Sequence, residues 1–258
     1  MPWSLTGPAG GIGAAGWALV LLSPLAGSFV GVLVRRLPDG AVIVSGRSAC
    51  EACGTVLQAR DLVPLASWLA TRGRCRHCGA ALGWFYPAAE LAAVAIVLVS
   101  LAIDSGIDAW LDALLGLWLL TLGWIDARRW VLPDALTLPL AAAGILAAAV
   151  WAPGDMIDRL GGAGCGYIGL RIAAYVYRRW RGRDGLGGGD AKLLAAAGAW
   201  TGASGLPTVI FGAAGLALAF AVGLALAGHS MRRDSALPFG PFLALSIWLV
   251  WLFGPLRW

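Results

Sequence analysis

Gly187-Gly188-Gly189-Asp190-Ala191-Lys192-Leu193-Leu194-Ala195-Ala196-Ala197 places a carboxylate at the head of a long apolar stretch. Two apolar runs follow from it, 190–204 and 206–228. Outward from there the chain repeats the theme, with apolar segments at 12–34, 87–103, 110–126, 135–152, 160–177 and 238–254. Segments of this length and apolarity read as membrane-spanning helices. With 59% hydrophobic and only 13% charged residues, the chain cannot be a soluble domain of its size. The 14 Trp suit anchoring at membrane interfaces, and the 37 Gly let membrane helices approach closely. The expectation is an all-α polytopic membrane protein with about eight transmembrane helices. The first apolar run lacks a basic leader and continues to Val34 without a small-residue cleavage site, so it is expected to remain as a helix.

Charge gives the orientation. Arg35, Arg36, Arg47, Arg60, Arg72, Arg74, Arg76, Arg128, Arg129, Arg178, Arg179, Arg181, Arg183, Lys192, Arg232 and Arg233 all fall in or beside alternate connections. The opposite connections carry Asp104, Asp108, Asp112, Asp155 and Asp158, with Arg159 alone against them. The positive-inside rule makes the Arg-rich side cytoplasmic and puts both termini outside. This topology accounts for the net charge of +5, so nucleic acid is not expected as a partner.

On that topology Asp126, in Trp124-Ile125-Asp126-Ala127, ends the third pass at the cytoplasmic face. Asp190 begins the sixth pass at the same face. Carboxylates at membrane depth are costly and usually functional. Two that share a site hold one proton between them, as the acid and base of a water-activating pair. Hydrolysis by such a pair needs neither metal nor cofactor. Each residue also has a plainer reading. Asp190 could cap its helix, and Asp126 could pair with Arg128 or Arg129. Asp134 follows a proline and reads as a helix N-cap. Lys192 could snorkel to headgroups or stand beside the pair. Arg171 reads as snorkelling.

Residues 35–86 form the one sizeable polar loop, between the first and second passes. Cys50-Glu51-Ala52-Cys53 and Cys75-Arg76-His77-Cys78 resemble the two knuckles of a zinc ribbon, four thiolates around one structural Zn²⁺. Gly54 and Gly79 follow the knuckles where a tight turn needs a residue free of Cβ. Disulfides are the alternative, disfavoured in a reducing compartment. His77 is expected to be solvated, and Cys165 to be a small packing residue. The organisation read this way is a first transmembrane helix (1–34), the four-cysteine zinc-ribbon-like loop (35–86) and a transmembrane core (87–258).

Taken together, these segments resemble the bacterial type IV prepilin peptidases, also called leader peptidase/N-methyltransferases. Gly27-Ser28-Phe29-Val30-Gly31-Val32-Leu33-Val34-Arg35-Arg36-Leu37-Pro38 looks like that family's opening motif, and the Cys knuckles follow in order. Tyr86-Pro87-Ala88-Ala89-Glu90, Ile125-Asp126-Ala127 with Leu132-Pro133-Asp134-Ala135-Leu136-Thr137, Gly187–Leu193 and Pro238-Phe239-Gly240-Pro241-Phe242 complete six collinear motifs. The resemblance implies a GxGD-type aspartic peptidase with Asp126 and Asp190 as its catalytic pair. It implies cleavage of basic leaders from prepilins or pseudopilins at the cytoplasmic face of the bacterial inner membrane. It also implies N-methylation from S-adenosylmethionine, a cofactor to which Glu90 is linked, although a hydrogen bond to a neighbouring helix is an equal reading of Glu90. Gly31, Phe85 and Ala89 depart from the family pattern, all in the half associated with methyl transfer, so methylation is expected to be weak or absent. The competing readings are a presenilin-like protease, a zinc-ribbon membrane adaptor and a proton-coupled transporter using the same aspartates. The sequence leaves the oligomeric state and the individual clients open.

Overall fold

A computed structural model describes residues 13–40, 47–182, 187–228 and 237–256. Arg183, Arg232 and Arg233, used above for orientation, lie outside the described residues. Among those described there are helices and no strand. The helices are α1 (Ala14–Arg36), a short α2 (Ala66–Ala70), α3 (Phe85–Ile103), α4 (Gly106–Arg129), α5 (Asp134–Trp151), α6 (Met156–Arg181), α7 (Gly188–Leu226) and α8 (Gly240–Phe253). In a bilayer every backbone polar group must be satisfied within the segment, and the helix does this. Five of them, α1, α3, α4, α5 and α7, are long and apolar enough to cross a membrane. α8 is a shorter apolar helix of 14 residues. α6 is long, but carries Asp158, Arg159, Arg171 and a basic C-terminal turn.

At 39 residues α7 would measure about 58 Å if straight, roughly twice the hydrocarbon thickness of a bilayer. It is not straight. Gly202 adopts φ 76°, ψ 173° and breaks it into two helical arms. These arms stand where the sequence reading placed two separate passes, 190–204 and 206–228. The expected eight helical segments are therefore all present, with two of them joined at Gly202.

The chain divides into two compact units, one ending at Leu117 and one beginning at Trp118. In the first, α1 packs on α3. A Cβ at Gly27 would lie 2.5 Å from the Glu90 Cα, so the two backbones meet there directly. In the second, α7 packs against α5, α6 and α8. Gly162 and Gly166 of α6 sit on the backbone of α7 at Gly198 and Leu194, the small-residue contact that brings membrane helices together. Cys165, between them, is exposed and takes no part in that contact, contrary to the packing role expected of it. The Trp200 indole N–H donates to the Leu140 carbonyl at 2.9 Å, and the Trp118 indole N–H to that of Leu136 at 3.2 Å. These bonds tie α7 to α5, and α5 to the second half of α4.

Candidate active site

Asp126 lies near the end of α4 and is 7% exposed. Its Oδ2 accepts the backbone N–H of Gly240 at 2.9 Å, in a buried bond. Gly240 is the first residue of α8, where backbone amides lack helical partners and the dipole favours negative charge. A Cβ at position 240 would come 2.6 Å from the same carboxylate oxygen, so only glycine lets the helix end reach it. Gly123, one turn earlier on α4, meets Pro241 in the same close fashion.

Asp190 is the third residue of α7 and is 8% exposed. Its Oδ2 accepts the N–H of Gly187 at 3.3 Å. That is one half of a capping box, since Gly187 has no side chain to return the bond. The plain capping role foreseen for Asp190 is thus present. It does not account for the burial of the residue, since a carboxylate that only caps a helix end can stay in water. The two carboxylates that the sequence reading paired are both buried, and each accepts a backbone amide.

Asp134 differs from expectation, and Lys192, for which two readings were open, has a partner. Asp134 is not an N-cap. Pro133 occupies that position, and no side-chain cap is made. Asp134 instead accepts from the Lys192 ammonium at 2.5 Å. A proline before a helix resembles a cap signal, but here its fixed φ starts the helix one residue earlier. Lys192 does not reach out alone, because it is the other half of that pair. Sequence reasoning also missed Gly240 as the partner of Asp126, although its motif was visible.

The other site residues lie in the first unit. The Leu65 N–H donates to Glu90 Oε2 at 2.7 Å, and the Ser28 side chain also hydrogen-bonds Glu90. Leu65 sits at φ 57° in a γ-turn closed from Ala66 N–H to Pro64 O, a strained conformation for a residue with a Cβ. Glu90 lines a cavity of about 720 Å³ with Ser28, Arg35, Trp68 and Tyr86. Arg35 lies over the rings of Phe85 and Tyr86 and pairs with Glu51 of the first knuckle. Gly31 makes room for the Tyr86 ring, which a Cβ would meet at 2.7 Å, and Ala89 is fully buried where α1 and α3 touch. The departures Gly31, Phe85 and Ala89 therefore all lie at the α1–α3 contact.

The Cys50, Cys53, Cys75 and Cys78 sulfurs all lie within 4.8 Å of one another, and the thiols are free. Cys50 and Cys78 sulfurs are 3.9 Å apart, against about 3.8 Å for the edge of a tetrahedron with Zn–S near 2.3 Å. Each knuckle closes identically, the carbonyls of Cys50 and Cys75 receiving the N–H of Gly54 and Gly79, whose φ are 70° and 71°. Hydrogen bonding with the Thr55 hydroxyl, to which the Cys53 thiol donates, and with the Thr55 backbone lowers Cys53 to about 6, while Cys78 in the same cluster is raised to about 11. The four residues can hold a metal ion, and His77 stands exposed beside them.

Comparison with known proteins gives the family. The model of the Type IV leader peptidase family matches residues 113–222. That of the Bacterial Peptidase A24 N-terminal domain matches 21–103.

The chain belongs to the type IV leader peptidase family.

Among its relatives, a prepilin leader peptidase/N-methyltransferase of Dichelobacter nodosus is 39% identical, over 80% of this chain and 71% of the relative. One from Burkholderia pseudomallei is 39% identical, over 87% and 81%. One from Aeromonas salmonicida is 34% identical, over 91% and 89%. No solved structure matches. Membership makes the chain a peptidase and decides against the adaptor and transporter readings.

Proposed function

We propose that this membrane peptidase removes the leader from type IV prepilins or pseudopilins at the cytoplasmic face of the inner membrane, with Asp126 and Asp190 as its catalytic pair. The observation that carries the reading is two buried carboxylates, one near the end of α4 and one at the start of α7, each held by a backbone amide. One, ionised, takes a proton from a water molecule. The other, protonated, donates to the scissile carbonyl as the water oxygen adds to its carbon. The first then gives its proton to the departing amine as the C–N bond breaks, and the second takes a proton back from a hydroxyl of the tetrahedral intermediate, leaving the carboxylic acid. Gly188, where an added Cβ would meet only the Arg171 guanidinium at 3.7 Å, leaves space for a substrate backbone beside the pair. A substrate with an apolar helix could lie in the bilayer and bring its cleavage site to this depth.

The four-cysteine loop is assigned a structural Zn²⁺, on the spacing of its sulfurs. The second activity, N-methylation, is assigned to the first unit. There the Glu90 carboxylate, facing a cavity in the ligand-binding size range, suits the cationic groups of S-adenosylmethionine. When bound, that cofactor supplies the methyl group. Ser28 and the Leu65 amide would orient Glu90 toward it. The test is incubation of the detergent-solubilised protein with a prepilin, followed by mass spectrometry. Loss of the leader reports the peptidase, and a gain of one methyl group reports the transferase. A prepilin left intact by folded protein would sink the reading.

A further inference from the structure

We infer that Asp134 and Lys192 act as one positioning pair that holds the first turn of α7, and with it Asp190, against the start of α5. The inference rests on the assignment of Asp126 and Asp190 as the catalytic pair. The start of α7 needs such a hold. Three consecutive glycines precede Asp190, and glycine is the residue whose backbone is least restrained. A carboxylate delivered by such a segment is free to approach a partner and equally free to wander.

Two contacts from the α4–α5 connection bracket it. One residue before Asp190, Gly189 lies against Leu132, whose Cβ would be 2.9 Å from a Cβ at position 189. Leu132 is itself buried. Two residues after Asp190, the Lys192 ammonium reaches Asp134 at 2.5 Å. The connection is anchored at both ends. At its beginning Trp130, at φ 57°, donates its N–H to the carbonyl of Asp126 at 2.9 Å. At its end the Thr137 hydroxyl donates to Pro133 O at 3.2 Å. The strap from Trp130 to Asp134 therefore leaves the backbone of one catalytic aspartate and ends on the helix turn of the other. An ion pair as exposed as this one, at 32% and 56%, adds little to global stability, so its consequence is local geometry.

The test is a double-mutant cycle on the full chain in detergent. Cleavage of a prepilin by Asp134→Asn, Lys192→Gln and the double variant is followed as kcat and KM, with thermal unfolding measured alongside. Each single change is expected to lower kcat by roughly tenfold, the scale on which misplacement of a reacting group acts. KM and Tm stay near those of the parent. The double variant is expected to be no slower than either single one, because the pair is already broken. Lys192→Arg, which keeps the charge, restores most of kcat. Parental kcat in both single variants would overturn the pair, as would losses that multiply in the double variant, or a loss that follows Tm. Asp126→Asn is run in parallel. If it cleaves, the catalytic assignment itself fails, whereas an inert Asp126→Asn beside a fully active Asp134→Asn removes only the positioning pair.

Discussion

The amide of Gly240 donates to Oδ2 of Asp126 at 2.9 Å, and a Cβ on Gly240 would stand 2.6 Å from that same oxygen. The first turn of α8 thus does for Asp126 what the Gly187 amide does for Asp190. It offers an unpaired N–H to a carboxylate that has left water. A glycine is required because hydrogen bond and close approach occur at one residue.

Gly240→Ala is accordingly expected to push the Asp126 carboxylate aside and lower kcat for leader cleavage by about 10- to 100-fold. Helix propensity would favour the alanine, so a loss cannot be ascribed to it. Gly215→Ala, on α7 with nothing within 4 Å of its added Cβ, serves as the control and should cleave normally. Equal kinetics for the two variants would show that the Gly240 contact is unimportant.

Asp126→Asn and Asp190→Asn should each abolish cleavage while leaving the unfolding temperature nearly unchanged. Asparagine fills the same space and still accepts a hydrogen bond, but it can neither take up nor hold the catalytic proton. Substantial turnover by either purified variant would rule the pair out.

The four-cysteine loop should carry about one zinc per chain, and replacing any of Cys50, Cys53, Cys75 or Cys78 with Ser should lower that content. Cleavage is expected to survive in part. Protons compete with the metal for thiolates, so affinity rises with pH and falls as pH drops through the titration of the ligands. Zinc release should therefore become marked under mildly acidic conditions, measured by elemental analysis after dialysis on the order of pH 5 and pH 8. Equal retention at both would contradict thiolate ligation, and metal-free protein whose thiols resist alkylation until reduced would indicate disulfides.

Glu90→Ala should depress methylation of the product more than cleavage. It removes the acceptor of the Leu65 N–H, a loss that costs on the order of 1–3 kcal/mol where the donor stays buried. Glu90→Gln retains an acceptor and should preserve the loop while losing the charge, separating support from binding. With Gly31, Phe85 and Ala89 in place, methylation by the unaltered chain is expected to be weak. Gly31→Asn should not restore it, because the added side chain would meet the Tyr86 ring. A fully N-methylated product at low micromolar S-adenosylmethionine would overturn this expectation.

Much of the architecture could be read from the chain alone, because the features concerned are local. Apolar length decides a spanning helix through solvation of its own backbone, independent of what it touches. The two arms of α7 accordingly appeared as separate apolar runs. The knuckles were legible for the same reason, since each is one tight turn with its glycine at positive φ. Asp126 and Asp190 stood out because charge at the edge of an apolar run is conspicuous without any fold.

Tertiary structure decided which groups these residues meet. The amide that holds Asp126 comes from 114 residues away, and the ammonium on Asp134 from 58 residues away. The Leu65 N–H that meets Glu90 belongs to a strained turn with no sequence signature. Such partners depend on how closely helices approach, and that is set by small residues meeting a neighbour's backbone, at Gly27 and Gly166, or its side chain, at Gly240. Asp134 was misread as a cap, and Cys165 as a packing residue, for this same reason. A cap motif and a small side chain are visible locally, but the helix start and the face turned toward a neighbour are settled only by packing. The sequence by itself determined the chemistry carried to the membrane surface, and the fold determined the amides and ion pair that orient it, because orientation is a property of contacts between segments distant in the chain.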